Sequence, residues 1–333
     1  MSGDCATAQR RIVRSWRALT GGSAVRDDAR PTLLAVSGGA DSSALAIALA
    51  DKPGVEAIGH VVHDLRPPEQ AEADRELVEQ LGQMLSLPVH VERVHVPKGN
   101  AEGNARTVRY EALAAMAQAT GCRYVATGHH ADDVLETMLA NLIRGAGPRG
   151  LRGPAPRRQL SDAVTLVRPM LHTTRTQAEA ICQAHDWSWA RDATNADPGT
   201  TDSPLRAALR ARVLPVLEDL RPGAATRAAR AADAIREASR VVEQSTDAQW
   251  ATVVAVRGSG LEFDRAALAA CPHAVREGLL RRAIAYFGHE GHDRLSAITA
   301  RSLAGWMVAG RGSRTAAGLR FEHTHDGVGV SRA

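Results

Sequence analysis

The sequence predicts an α/β fold, a parallel, doubly wound sheet with helices on both faces, followed by a smaller, mainly helical C-terminal domain. Three observations lead there. Short apolar strands alternate with helical segments from Pro31 to Leu220, the pattern of a parallel sheet buried on both sides. A Gly-rich turn, Ser37-Gly38-Gly39-Ala40-Asp41-Ser42, joins the first strand directly to a helix. A polar turn with two histidines and three acids follows the fourth strand. In a doubly wound sheet the carboxyl ends of neighbouring strands open on one crevice, so the two turns are expected to face each other.

The elements follow in order. Ala6–Leu19 reads as an amphipathic helix, and Pro31–Val36 as the first strand, with a helix over Ala44–Ala50. Ala57–Val62 is the second strand, Pro67–Leu85 a helix with an acidic face, and Val89–Val96 the third strand. Glu102–Gln118 is helical, Tyr124–Thr127 is the fourth strand, and Asp132–Leu142 is another helix. Gly145–Asp162 reads as loop and Val164–Val167 as a short edge strand, with a helix over Thr176–His185. Asp192–Thr201 is a polar, turn-rich loop, and Leu205–Leu220 is helical up to Arg221-Pro222-Gly223. The domain boundary is placed there, giving a catalytic domain over residues 1–222 and a second domain over 223–333. The second opens with a long Ala/Arg helix, Ala224–Gln249, then two or three helices within Leu261–Gly310 and a hairpin over Leu319–Val330.

Composition narrows the function classes. No apolar run approaches the roughly 18–20 residues of a membrane span or forms a signal peptide, so a cytoplasmic location is expected. The cysteines, Cys5, Cys122, Cys182 and Cys271, form no C-x-x-C pair, which points away from zinc or dithiol chemistry. The net charge of +4 rests almost entirely on arginine, since Lys52 and Lys98 are the only lysines. A GC-rich genome explains most of that bias. The distribution is more telling: Arg144, Arg149, Arg152, Arg157 and Arg158 fall in a Gly/Pro-rich stretch without an acid. Such a loop suits phosphate contacts.

The chemistry starts at the Gly-rich turn. Two glycines let the backbone bend tightly and approach an anion. The free N–H groups of the turn and of the helix start point at that anion, and the helix dipole adds attraction. Ser37, Ser42 and Ser43 add hydroxyls, but the Gly-Lys-Ser/Thr ending of the Walker loop is absent. In Ala126-Thr-Gly-His-His-Ala-Asp-Asp-Val-Leu-Glu-Thr137, Asp133 and Glu136 are spaced i,i+3 and share a helix face. Together they suit an ammonium group or Mg²⁺. On those residues alone, a helix start capped by Asp132 with a solvated Glu136 stays equally open.

The turn resembles the PP-loop, S-G-G-x-D-S, of the ATP pyrophosphatases, whose fold is of the adenine nucleotide alpha-hydrolase type. His129–Arg144 with Gly145, Gly147, Gly150 and Leu151 resembles the H-H-x-D-D-x-x-E-T … R-G-x-G-x-x-G-L block of the tRNA(Ile)-lysidine synthase family. Ala105-Arg106 with Arg109-Tyr110, His63-Asp64-Leu65-Arg66, Arg168-Pro169-Met170-Leu171 and Asp192-Ala-Thr-Asn195-Ala-Asp197 are similar to further blocks of that family. So are Arg206, Arg210 and Arg212 before Val213-Leu-Pro215. The blocks run in order over residues 31–222; likeness beyond is weak. Ala207 stands where the family often has Asn, Gly99–Asn104 is more open than usual, and the chain is short.

The resemblance implies that ATP adenylates the wobble cytidine of a CAU-anticodon isoleucine tRNA and that free L-lysine then replaces AMP at carbon 2. It implies ATP binding by Ser37, Gly38, Gly39, Ala40, Asp41 and Ser42, with Mg²⁺ seated by Asp41. Asp133 and Glu136 would bind lysine, Asp133 would take its proton, and Arg144 would stabilise the α-phosphate. Arg149, Arg152, Arg157, Arg158, Arg206 and Arg210 are expected RNA contacts, and residues 223–333 are expected to form the tRNA-binding domain. His129 and His130 fit a core or a catalytic place equally, and assembly as a homodimer stays open. The rival is a PP-loop tRNA thiolase, which adenylates likewise but uses a sulfur nucleophile; the lack of paired cysteines speaks against it.

Overall fold

The computed structural model describes residues 3–21, 29–65, 67–99, 101–190, 204–288 and 295–333. Arg66 and the 192–197 block therefore lie outside the described residues. The chain divides into two compact units, residues 1–140 with 153–231 and residues 141–152 with 232–333.

The first unit contains α1 (Gly3–Thr20), β1 (Thr32–Ala35), α2 (Ala40–Leu49), β2 (Val55–His63), α3 (Pro68–Leu85) and β3 (Val89–Val94). Next come α4 (Ala101–Ala119), β4 (Tyr124–Thr127), α5 (Ala131–Ile143), β5 (Arg157–Gln159), β6 (Thr165–Val167) and α6 (Arg175–Ala184). It closes with α7 (Pro204–Ala208), a π-helical turn over Leu209–Val213, α8 (Leu214–Leu220) and the first part of α9 (Ala224–Val253). The sheet order is β3-β2-β1-β4-β6-β5, parallel except for antiparallel β5 at one edge.

Alternation along β1 sets the two layers. Leu34 packs with Ile12 and Trp16 of α1, Leu45 and Leu49 of α2 and Ile181 of α6, whereas Leu33 packs with Leu113 and Ala117 of α4. Helix α2 is buried on nearly every side, which its run of Ala, Ser, Leu and Ile allows. Thr174 starts α6 with a capping box: its hydroxyl accepts from Gln177 N, and Gln177 Oε1 accepts from Thr174 N, both at 3.2 Å. The order reverses between β1 and β4, so the loops leaving these strands frame the crevice where α/β sheets bind ligands.

Two expectations need correction here. The Gly145–Asp162 region is not all loop, because Arg157–Gln159 forms β5 and takes the edge, leaving Thr165–Val167 one place inside it. All three β5 residues are exposed and polar, so no apolar alternation announces it.

The second unit holds the rest of α9, β7 (Val254–Arg257), β8 (Gly260–Asp264), α10 (Arg265–Ala270), α11 (His273–Tyr286) and α12 (Ala297–Ala309). The final strands are β9 (Ser313–Ala316), β10 (Leu319–His323) and β11 (Gly327–Arg332). The strands form an antiparallel sheet in the order β7-β8-β11-β10-β9. The mainly helical expectation found the helices and the β10–β11 hairpin but missed this five-stranded sheet, whose edges β7 and β9 are mostly exposed. The apolar core joins Phe263 and Phe321 to Leu279, Leu303 and Met307. Asp264 accepts from Ala267 N at 2.8 Å and Ser296 from Thr299 N at 3.0 Å, capping α10 and α12. No helix among the described residues is long and apolar enough to cross a membrane.

Candidate active site

The cradle begins where β1 ends. His60 of β2, 3% exposed, lies with Nδ1 2.8 Å from the Val36 carbonyl; a carbonyl only accepts, so the ring N–H donates and pins the strand end. Gly38 then turns with φ +90°, a conformation strained for any side chain, beneath the buried Asp74 of α3. Ser42 Oγ accepts from Ser37 N at 3.1 Å and donates to the Gly39 carbonyl at 3.0 Å, closing the loop on itself. Gly39 caps α2 without any side-chain bond to the first turn. The N–H groups of a helix's first turn have no partner within the helix and point outward from its start.

The β4–α5 turn closes on this cradle through Gly128. A Cβ there would lie 2.8 Å from the Asp41 carbonyl carbon and oxygen and 2.9 Å from Ser42 N. Only glycine allows that approach. It brings His130, 6% exposed, among three carboxylates: Nε2 is 3.3 Å from Asp41 Oδ2 and 3.6 Å from Asp133 Oδ2, and Nδ1 is 3.3 Å from Asp132 Oδ2. Burial alone would favour the neutral ring. Asp133, Asp132 and Asp41 outweigh it and hold the His130 pKa well above its ordinary value. His129 behaves oppositely: burial, helped by Arg168, pushes it down to about 3, against the pull of Asp133. Its Nδ1 lies 2.9 Å from Thr127 Oγ1. The two open histidines thus divide into one cation and one neutral ring.

Asp133 Oδ2 accepts from His130 N at 2.9 Å, the acid half of a capping box, and Asp132 Oδ2 accepts from Arg175 N at 2.9 Å. Asp132 therefore ties α5 to the start of α6. Glu136 is not solvated: it is 3% exposed. Arg210, on the π-helical turn, donates through Nε to Glu136 Oε2, and Arg206 Nε lies 3.5 Å from Oε1. Arg210 Nη2 also stands 3.8 Å from Asp133 Oδ1. Burial raises the Glu136 pKa, and Asp133 adds to it, while Arg210 and Arg206 oppose. Ser37, Asp41, His129, Asp133, Glu136 and Trp189 all line one open cavity of about 1020 Å³.

The structure thus gathers the cradle and both acids in one place, with Arg206 and Arg210 on the carboxylates. Arg144, Arg149 and Arg152 belong to the second unit; Arg144 is exposed, and Arg152 pairs with Glu243 at 2.7 Å. Arg157 donates to the Gly21 carbonyl at 3.2 Å, and Arg158 lies over the Tyr110 ring. Sequence reasoning gave no role to Gly128, His60, Trp189 or Arg109, although Arg109 also lines the cavity. Two of them carried a signal: Gly128, a glycine between a strand end and a paired histidine, and Arg109, part of a block that resembles the family.

The chain is similar to known proteins along most of its length. The PP-loop domain family matches residues 8–217. The tRNA(Ile)-lysidine synthase of Thermus thermophilus is 34% identical over 83% of the chain, which spans 52% of that relative's length. Those of Bordetella pertussis and Salinispora arenicola are each 38% identical, over 66% and 72% of the chain and 70% and 71% of their own lengths. In fold, the U34-tRNA thiolase NcsA of Methanococcus maripaludis superimposes with a TM-score of 0.53 at 14% identity, covering 70% of this chain and 80% of its own. A PP-loop unit carrying the paired acids, matched across most of the chain by these relatives, places it in the tRNA(Ile)-lysidine synthase family.

Proposed function

We propose that the protein ligates free L-lysine to carbon 2 of the wobble cytidine in an isoleucine tRNA with a CAU anticodon. The cytidine O2 displaces pyrophosphate from the α-phosphorus of ATP. The lysine ε-amine then forms the bond to carbon 2 as the carbon–oxygen bond to AMP breaks. The single observation that carries this reading is that a phosphate cradle and a carboxylate pair, Glu136 buried and Asp133 half-buried, line the same cavity.

Each group has a place in it. The N–H groups of the α2 start hold the β,γ-phosphates. Asp133 takes a proton from the lysine ammonium, since a protonated amine cannot attack. The Arg210 guanidinium on Glu136 marks where a cation is stable, and the substrate ammonium takes its place beside Asp133. Asp41 suits Mg²⁺, because its Oδ1 is buried without a hydrogen-bond partner among the described residues. Mg²⁺ is typically held by one or two carboxylates plus substrate phosphates, whose charge it neutralises. Sulfur transfer fits less well, since all four cysteines are free and buried.

The test is product analysis with labelled ATP. AMP and pyrophosphate should form only when both tRNA and lysine are present. ADP as the main product, or AMP release indifferent to lysine, would overturn the assignment.

A further inference from the structure

Tyr110 of α4 is 4% exposed and surrounded by arginines. The guanidinium carbons of Arg106, Arg109 and Arg158 lie 5.4, 5.4 and 5.5 Å from its ring centre. A fourth, Arg168, is only 2% exposed. Its Nη2 donates to the Tyr110 hydroxyl at 3.3 Å, its Nη1 donates to the Ala155 carbonyl, and its Nε is buried with no partner. Among the described residues no carboxylate lies within ion-pair distance of any of the four.

This arrangement needs an anion. A buried guanidinium without a carboxylate is costly, and like charges packed round one ring repel. Cation–π contacts with Tyr110 orient the arginines but leave their charge unanswered. Burial pushes the Tyr110 hydroxyl up, yet Arg168, Arg106 and Arg109 outweigh it and draw its pKa below the ordinary value, so the local field is strongly positive.

We propose that Tyr110, Arg106, Arg109, Arg158 and Arg168 form a phosphate seat filled by a backbone phosphodiester of the RNA substrate. The proposal rests on the tRNA-ligase reading above. Guanidinium groups pair phosphate oxygens two at a time, which a point charge cannot do. The phosphates of ATP have their own donors at the α2 start, so this seat serves a second anion. Arg109 lines the cavity, whereas Arg158 is exposed on the edge strand β5. A seat running from cavity to surface suits a polymer whose base enters the cavity while its backbone stays outside. Phosphate contacts of this kind fix register without reading sequence.

The test uses the full chain with Arg158→Gln, and with Arg106→Gln added. Filter binding of a tRNA transcript is followed against salt, and ATP affinity is measured by equilibrium dialysis. Each removed contact should weaken tRNA binding about tenfold and reduce the steepness of the log–log salt slope by about 0.7. ATP affinity should not change, and Arg158→Lys should restore the slope while keeping part of the affinity loss. Unchanged tRNA affinity and slope in the double variant would show that the arginines merely pack Tyr110. A loss of ATP affinity with an unchanged tRNA slope would assign the seat to a nucleotide phosphate and overturn the RNA assignment. A wild-type protein that binds ATP but no tRNA would overturn the seat and the functional reading together.

Discussion

The two units handle charge in opposite ways. Among the described residues, the buried polar and charged side chains include His60, Asp74, His130, Glu136 and Arg168, all in the first unit. Among the described residues of the second unit, only Thr246 is a buried polar side chain. Net charge runs the other way: the second unit carries sixteen arginines against eleven acids, and the first is close to neutral. Ionised groups are expensive to bury and are retained where chemistry uses them. The first unit has the makings of a reaction chamber. The second has an apolar core and carries the chain's excess of positive charge.

One substitution in each unit tests whether the two are separate in function. Asp133→Asn should lower kcat about 10²- to 10⁴-fold, the usual worth of a general base, with little change in ATP affinity. If more than about a tenth of the rate survives, a barrier change under about 1.4 kcal/mol, the carboxylate is only a helix cap. Phe263→Ala, at 0% exposure in the second core, should instead cost about 3–5 kcal/mol of that unit's stability. Its ATP affinity should stay at the wild-type value. Loss of ATP binding in Phe263→Ala would show that the units are not separable in this way.

A smaller effect probes the approach of the two loops. Gly128→Ala places a methyl group 2.8 Å from the Asp41 carbonyl, where backbone rather than a flexible side chain must give way. Overpacking of this kind costs about 1–3 kcal/mol. It should appear as weaker ATP binding, because the displaced atoms belong to the cradle. Wild-type ATP affinity in a folded Gly128→Ala protein would mean that the loop absorbs the methyl without moving the cradle.

The same contrast explains what the sequence made legible. Parallel strands buried on both faces read as apolar runs, so β1, β2 and β4 were visible, as was the helix following the cradle. The i,i+3 spacing put Asp133 and Glu136 on one face without any structure. What stayed hidden depends on partners far away along the chain. Arg210 reaches Glu136 across 74 positions and Arg168 reaches Tyr110 across 58, separations over which local periodicity carries no information. The loss of β5, β7 and β9 has another cause: strands at sheet edges are mostly exposed, so their sequences lack the alternation that marks a half-buried strand.

The mildest prediction separates the units by pH. His129 has a folded pKa near 3, far below its unfolded value of about 6.5. Between those values the unfolded chain holds a proton that the folded chain does not, so stability falls as pH drops below about 6.5. His130 is shifted upward, so its contribution is fully present below about 6.5 and is lost as pH rises toward the folded value. Together they give the first unit a stability maximum near pH 6.5, with limbs no steeper than about 1.4 kcal/mol per pH unit for one proton. The second unit buries no charged side chain among the described residues, so between about pH 5 and 8 its stability should vary less. Native-state hydrogen exchange resolves this within one chain, by comparing opening free energies of β1 and β4 with those of β8 and β11 in the presence of a chelator. His129→Asn should flatten only the acid limb and His130→Asn only the alkaline one. Equal pH responses in the two sheets, or limbs that survive both substitutions, would show that the paired histidines do not set the first unit's stability.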